Sequence, residues 1–124
     1  MQVWATDLWI GATENLIRID DFGLNDAVFP IHADARKLPF AKGYFDAILA
    51  VDPYIYFGTD DLYLDYIHRF LKPEGQIGLA LNCFTQELEG PLPDHLRPFW
   101  AQEYWTWHTI DWWLGEGHTF TELA

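Results

Sequence analysis

Three apolar runs in this chain end at an aspartate. Val3-Trp4-Ala5-Thr6 leads into Asp7, Val28-Phe29-Pro30-Ile31-His32 into Ala33-Asp34, and Phe45-Asp46-Ala47-Ile48-Leu49-Ala50-Val51 into Asp52. An ionised carboxylate only accepts hydrogen bonds, and it accepts several at once. Such a group either caps the turn that follows its strand or holds the donors of a ligand. Asp52, standing before Pro53, also suits the start of a turn, and Asp46, at the beginning of its run, reads as structural. The histidines offer less. His32-x-Asp34 and His108-x-x-Asp111 have the look of metal pairs, but neither has a third ligand at a telling spacing, so no metal is expected. The lone cysteine, Cys83, reads as a small apolar filler.

The elements that would position these aspartates follow from the pattern of apolar residues. The run at 45–52 is nearly continuous and is bounded by Lys42-Gly43 and Pro53, as for a strand buried on both faces of a parallel sheet. Strands are likewise expected at 3–7, 28–32 and 76–82. A helix is expected to start at Ala12-Thr13-Glu14, with Thr13 as its cap, Leu16, Ile17 and Ile19 as its apolar face and Gly23 as its stop. A second helix, capped by Thr59-Asp60-Asp61, carries Leu62, Tyr63, Tyr66, Ile67 and Phe70 at helical spacing and is expected to run until Pro73 ends it. Strand, helix, turn and strand make a βαβ unit. The fold class is therefore α/β, with a mostly parallel sheet of about four strands and flanking helices. Ligands of open α/β sheets sit beyond the carboxyl ends of the strands, which points to Asp7, Ala33-Asp34 and the stretch 52–57.

At 124 residues, half of them hydrophobic, the chain is expected to be one globular domain. A formal charge of −12, with seven Lys and Arg scattered along the chain, excludes nucleic acid as the favoured partner and leaves a small molecule. No run is long enough for a transmembrane helix and no signal peptide is legible, so a cytoplasmic protein with no membrane partner is expected. Beyond residue 83 the composition changes. Residues 87–98 are rich in Pro and charge, and 99–113 hold Phe99, Trp100, Tyr104, Trp105, Trp107, Trp112 and Trp113. Residues 84–124 are read as an aromatic-rich helical lid of the same domain whose core spans 1–83. Packing against the sheet, closure over a substrate and contact with a partner are its three readings.

In order and spacing, Val3-Trp4-Ala5-Thr6-Asp7, His32-Ala33-Asp34-Ala35 with Leu38-Pro39-Phe40, Tyr44-Phe45-Asp46-Ala47-Ile48 and Arg69-Phe70-Leu71-Lys72-Pro73-Glu74-Gly75 resemble successive motifs of the class I S-adenosylmethionine-dependent methyltransferases, a Rossmann-like fold. Glu74 replaces the first of the two glycines usual in the last motif. The resemblance implies that Asp7 accepts hydrogen bonds from the ribose hydroxyls of S-adenosylmethionine, that Leu8 and Trp9 lie along the adenine, and that Asp34 and the Ala35 backbone N–H meet the adenine's polar edge. It further implies that Asp52 lines the path near the sulfonium and that Tyr54 and Tyr56 face the methyl acceptor, with Trp105 contributed by the lid. Many relatives carry a histidine after the strand that ends at Asp52. Here the residues are Tyr54-Ile55-Tyr56, which leaves Tyr54 and, amid the tail aromatics, His108 as the candidates for catalysis, His108 as general base toward a hydroxyl or amine.

One family motif is missing. The strand and glycine-rich turn that open the family fold, and receive the cofactor's amino-acid end, have no counterpart among the nine glycines. That strand would lie between the strands at 3–7 and 45–51, so the fold is expected to be incomplete, truncated at both ends, with those two strands pairing directly or with a second copy filling the gap. Losing two or three charge-assisted hydrogen bonds to the cofactor costs about 4–6 kcal/mol. A micromolar dissociation constant then becomes roughly millimolar or weaker. The expected activity is methyl transfer to a small molecule, impaired in the isolated chain. The alternative is a non-catalytic remnant serving as an oligomerising or binding module.

Overall fold

The alternation of apolar runs and helical segments gives β1 (Val3–Asp7), α1 (Ala12–Asp21), β2 (Val28–His32), β3 (Phe45–Val51), α2 (Tyr63–His68), β4 (Leu71–Ala80) and α3 (Ile110–Gly115). Short 3-10 turns at Pro53–Tyr56, Arg97–Phe99 and Gln102–Thr106 join them. The computed structural model describes residues 1–51, 53–56 and 63–115. The expected Thr59-Asp60-Asp61 cap and Leu62 lie outside the described residues, as does Asp52. All strand pairing is parallel, as the apolar runs require. The strands are divided between two sheets, however: β1 pairs with β2, and β3 with β4. Among the described residues β1 has β2, and β3 has β4, as its ladder partner. The chain divides into two compact units, 1–42 and 43–124, with the boundary at Lys42 inside the stretch read as one core.

In the first unit, β1 and β2 run in register from Val3↔Val28 to Asp7↔His32. Trp4 lies opposite Phe29, their ring centroids 5.2 Å apart, and meets Phe40 edge-on at 5.9 Å. α1 packs on β2. Its half-buried residues are Ala12, Asn15 and Ile19, one stripe at helical spacing, whereas Leu16 and Ile17 are exposed. Thr13 is not the cap. Gly11 occupies that position without a side-chain bond. The stop at Gly23 forms as expected. At φ 66° it lets its own N–H reach the Asp20 carbonyl and the Leu24 N–H reach that of Ile19, the hydrogen-bond pattern of a Schellman motif. No side chain of this unit is fully buried.

The second unit has the core. Tyr63 and Ile67, one helical turn apart on α2, are buried together with Phe70, Leu71 and Ala50. Ile67, Phe70 and Leu71 each contribute about 1.5–3 kcal/mol through burial. The other face of β3 stays open, with Leu49 and Val51 exposed. α2 ends at His68, well before Pro73. β4 then starts at Leu71 and takes in the Lys72-Pro73-Glu74-Gly75 stretch expected to be a turn. The register explains both readings. From the Phe45↔Leu71 pair to the Ala47↔Gln76 pair, β3 advances two residues and β4 advances five. The extra residues form a bulge inside the strand. A Cβ on Gly75 would stand 2.9 Å from Leu71 Cδ2 and 3.1 Å from the Lys72 carbonyl oxygen, so the bulge folds back on itself where only glycine fits. Lys72 Nζ donates to Asp46 Oδ1 at 2.7 Å, which gives Asp46 the structural role expected of it.

Candidate functional site

The carboxyl ends of β1 and β2 hold one group of candidates. Asp7 Oδ1 accepts from the backbone N–H of Trp9 at 2.8 Å and of Ile10 at 3.0 Å. These bonds, Ile10's first, hold the carboxyl below the usual range against the opposing effect of burial. The carboxylate thus fixes the turn after β1 through Oδ1, and the Asn15 side chain and the Arg18 charge on α1 also favour its ionised form. The turn is tied to β2 by the Ala33 N–H on the Asp7 carbonyl at 3.0 Å, and by His32 Nε2, 2.8 Å from the Leu8 carbonyl oxygen. The carbonyl can only accept, so His32 donates from Nε2. Leu8 and Trp9 are presented on the outside of this turn, Trp9 with 69% of its surface exposed.

Asp34 is engaged closer to home. Arg36 Nε lies 3.0 Å from Oδ1, Arg36 Nη2 lies 2.9 Å from Oδ2, and the Arg36 backbone N–H adds a bond to Oδ1 at 2.9 Å. The Arg36 side chain and then its backbone N–H lower the Asp34 carboxyl to about 2. A bidentate guanidinium satisfies both oxygens, so any further donor must share them. Ala35, half-buried, sits between the two partners. The fold therefore gathers Asp7, Leu8, Trp9, Asp34 and Ala35 at one sheet end. An open hollow of about 280 Å³ lies nearby, between β1 and α1, lined by Asp7, Asn15, Arg18 and Phe22 among others.

The carboxyl ends of β3 and β4, in the second unit, hold the other group. The turn Pro53–Tyr56 follows β3 and packs on Gln102–Thr106, so the elements bearing Tyr54, Tyr56 and Trp105 meet. Tyr56 and Trp105 are each about half exposed. The Tyr54 side chain lies outside the described residues. After β4, Phe84 stacks on Trp100 with centroids 6.0 Å apart and meets Trp107 edge-on, while Tyr104 lies 4.4 Å from Trp107. A parallel bridge from Phe84 to Thr109, with the Phe84 N–H on the His108 carbonyl at 3.1 Å, brings the tail back beside the segment that leaves β4. Cys83 is exposed rather than a filler.

His108 is held on two sides. Its ring stacks on Trp112 at 3.7 Å and 11°, and Nδ1 lies 3.1 Å from Glu87 Oε2. The other Glu87 oxygen accepts from the Thr109 backbone N–H at 2.6 Å and from Thr109 Oγ1 at 2.8 Å. Those bonds, the Thr109 N–H first, keep the Glu87 carboxyl below its ordinary range. Thr109 Oγ1 in turn accepts the Trp112 N–H at 3.2 Å and caps α3. Glu87 was not legible as a partner, because it lies 21 residues from His108 with no periodic relation to it. Arg36 was missed too, although its position two residues after Asp34 was the available signal. Among the described residues no three metal-ligating side chains cluster, and no helix is long and apolar enough to cross a membrane.

A family model described as a methyltransferase domain matches residues 2–79, a span that includes Asp7, Asp34 and all but the last residue of the four strands. It stops short of Glu87 and His108. A search of curated proteins found no match to the chain.

Proposed function

Since the chain belongs to the methyltransferase-domain family, to which the class I S-adenosylmethionine-dependent enzymes belong, we propose that it serves S-adenosylmethionine-dependent methyl transfer to a small molecule. The observation that carries this reading is the grouping of Asp7, Leu8, Trp9, Asp34 and Ala35 at one sheet end inside the matched span. The donor set fits the nucleoside half of the cofactor. Asp7 is an ionised acceptor of the kind that suits the ribose diol, and the exposed Leu8 and Trp9 supply an apolar surface for the adenine. The Ala35 N–H and an Asp34 oxygen shared with Arg36 serve the adenine's polar edge. When bound, the cofactor supplies an electrophilic methyl group.

The chain's part is to position and to exclude water, which is where single-step displacement gains most of its rate. Tyr56 and Trp105, on turns that follow the carboxyl ends of the second sheet, are the exposed aromatic side chains that suit an acceptor. No glycine-rich turn receives the amino-acid end of the cofactor, so affinity in the isolated chain is weak. The protein acts in the cytoplasm. Among the described residues β1 and β3 each have one ladder partner, and a second copy of the chain is a source of further pairing.

A second reading has its own support. Asp34 is already bound by Arg36 through both oxygens and Asp7 already caps a turn. A scaffold that keeps these aspartates for loop structure, as an oligomerising or binding module without turnover, would have the same contacts. Titration calorimetry with S-adenosylhomocysteine separates the two. The methyltransferase reading expects saturable binding at micromolar to millimolar concentration, weakened at least tenfold in Asp7→Ala, since a hydrogen bond to a charged group is worth about 1.5–3 kcal/mol. A folded chain that does not bind at millimolar ligand supports the module.

A further inference from the structure

The hollow between β1 and α1 joins charged groups of both signs, Asp7 and Arg18, to an apolar wall of Ile19, Phe22 and Leu24. We propose that it is a binding site for a free α-amino acid with an apolar side chain. The ligand's ammonium meets Asp7, its carboxylate meets Arg18, and its side chain lies along the apolar wall. The site belongs wholly to residues 1–42. It goes beyond the methyl-transfer reading and needs neither the cofactor nor the second unit.

The lining follows from the two elements. Asn15, Arg18, Ile19 and Phe22 stand at i, i+3, i+4 and i+7 on α1 and therefore share one face. The helix runs back along β1, because the Val3 N–H reaches the Ala27 carbonyl just beyond the helix end. Asp7 and Asn15 thus form the polar end of the hollow, and Phe22 and Leu24 its apolar end. Ala5, on the same face of β1 as Asp7, adds only a methyl group to the lining, and about 280 Å³ stays open. Phe22 keeps 80% of its surface exposed, an apolar area ready to be covered. Arg18 is free to take part. Its Nη2 bond to Glu14 is a surface pair with more than half of each side chain exposed, and such a pair holds weakly. The other guanidinium nitrogens remain as donors for a carboxylate.

The ligand class follows from the charges. A molecule carrying only a carboxylate would gain Arg18 but face Asp7, Glu14 and a chain of net charge −12. A molecule carrying only an ammonium would gain Asp7 but face Arg18. An ammonium and a carboxylate on one carbon satisfy both groups at once. The volume falls below the roughly 300–1,000 Å³ of pockets for drug-sized ligands, which suits a single amino acid and not a peptide or a nucleoside. The apolar wall selects a leucine-, methionine- or phenylalanine-like side chain over a charged one.

Nitrogen–proton correlation NMR of the full chain tests this with three probes: L-phenylalanine, 2-phenylethylamine and 3-phenylpropionate. L-Phenylalanine should give saturable shifts at residues 5–7 and 15–24, with a dissociation constant of about a millimolar. The amine and the acid, each lacking one charge, should bind at least tenfold more weakly, about the worth of one charge-assisted hydrogen bond. Arg18→Gln changes an exposed side chain, so the fold should survive. It should weaken L-phenylalanine about tenfold and leave the amine bound no more weakly than before. No saturable shift at roughly 10 mM L-phenylalanine overturns the site. Equal binding of the three probes reduces the hollow to an apolar surface and overturns the ligand class. An unchanged affinity in a folded Arg18→Gln chain overturns the carboxylate's place. None of these readouts involves S-adenosylmethionine, so they stand whichever way the titration with S-adenosylhomocysteine falls.

Discussion

The two units are each built around two parallel strands, yet they are held together differently. Residues 1–42 have no fully buried side chain, and their strand ends are fastened by polar contacts: Asp7 on its turn, His32 on the Leu8 carbonyl, Arg36 on Asp34. The strands of residues 43–124 rest on a small apolar core from α2 and β4, with polar contacts such as Lys72–Asp46 at the surface. A pair of strands alone is marginal in water, so each unit needs its own supplement. The comparison teaches that one parallel ladder can be secured through its loops and another through the face of a helix.

That contrast can be tested by substitution, with stability read from urea unfolding followed residue by residue in NMR spectra. The largest effect belongs to the core. Ile67→Ala should cost about 2–5 kcal/mol and melt β3 and β4, because it opens a cavity beneath Tyr63 and Phe70. An equal loss in β1 and β2 would mean that the two units unfold as one. A change of pH should act next, and on the first unit. The Asp34 carboxyl stands at about 2 against an ordinary 3.8, so whatever the Arg36 clasp contributes is fully present above the ordinary value. That contribution disappears as pH falls through about 2. Carbon NMR of the side-chain carboxyls should place the Asp34 midpoint there, and Arg36→Ala should raise it. A wild-type midpoint at the ordinary value would dissolve the clasp. The smallest effect is Ile17→Ala on exposed α1, expected within about 0.5 kcal/mol. A loss of several times that would show Ile17 covered in solution and the contrast between the units overstated.

Local signals carried most of the fold. Strand runs, the Gly23 stop and the ends of β1, β2 and β3 were legible because each depends on neighbouring residues. Misreadings came where distant residues decide. The Leu16 and Ile17 face was read as buried, but the sheet takes the stripe through Ala12, Asn15 and Ile19 instead. The Lys72-Pro73-Glu74-Gly75 stretch carries turn residues and does turn, yet it does so inside a strand because Phe45 pairs with Leu71 before it. Of the candidate site, the strand-end aspartates could be located from sequence. The clasp of Arg36 and the long-range partnership of Glu87 with His108 depend on side-chain direction, which spacing does not encode.

The bulge in β4 has a consequence for how the chain can change length. Ala47↔Gln76 through Val51↔Ala80 form an unbroken ladder, and Phe45↔Leu71 anchors the strand before it. Everything between those anchors on β4 is slack. Removing Lys72, Pro73 and Glu74 together would set Gly75 opposite Asp46 and leave every later pair as it is, with Ile77 and Leu79 still on their present face. A one-residue deletion from the ladder itself would instead slide the later side chains across to the opposite face. Insertions and deletions are therefore tolerated in this loop of strand and not beyond it.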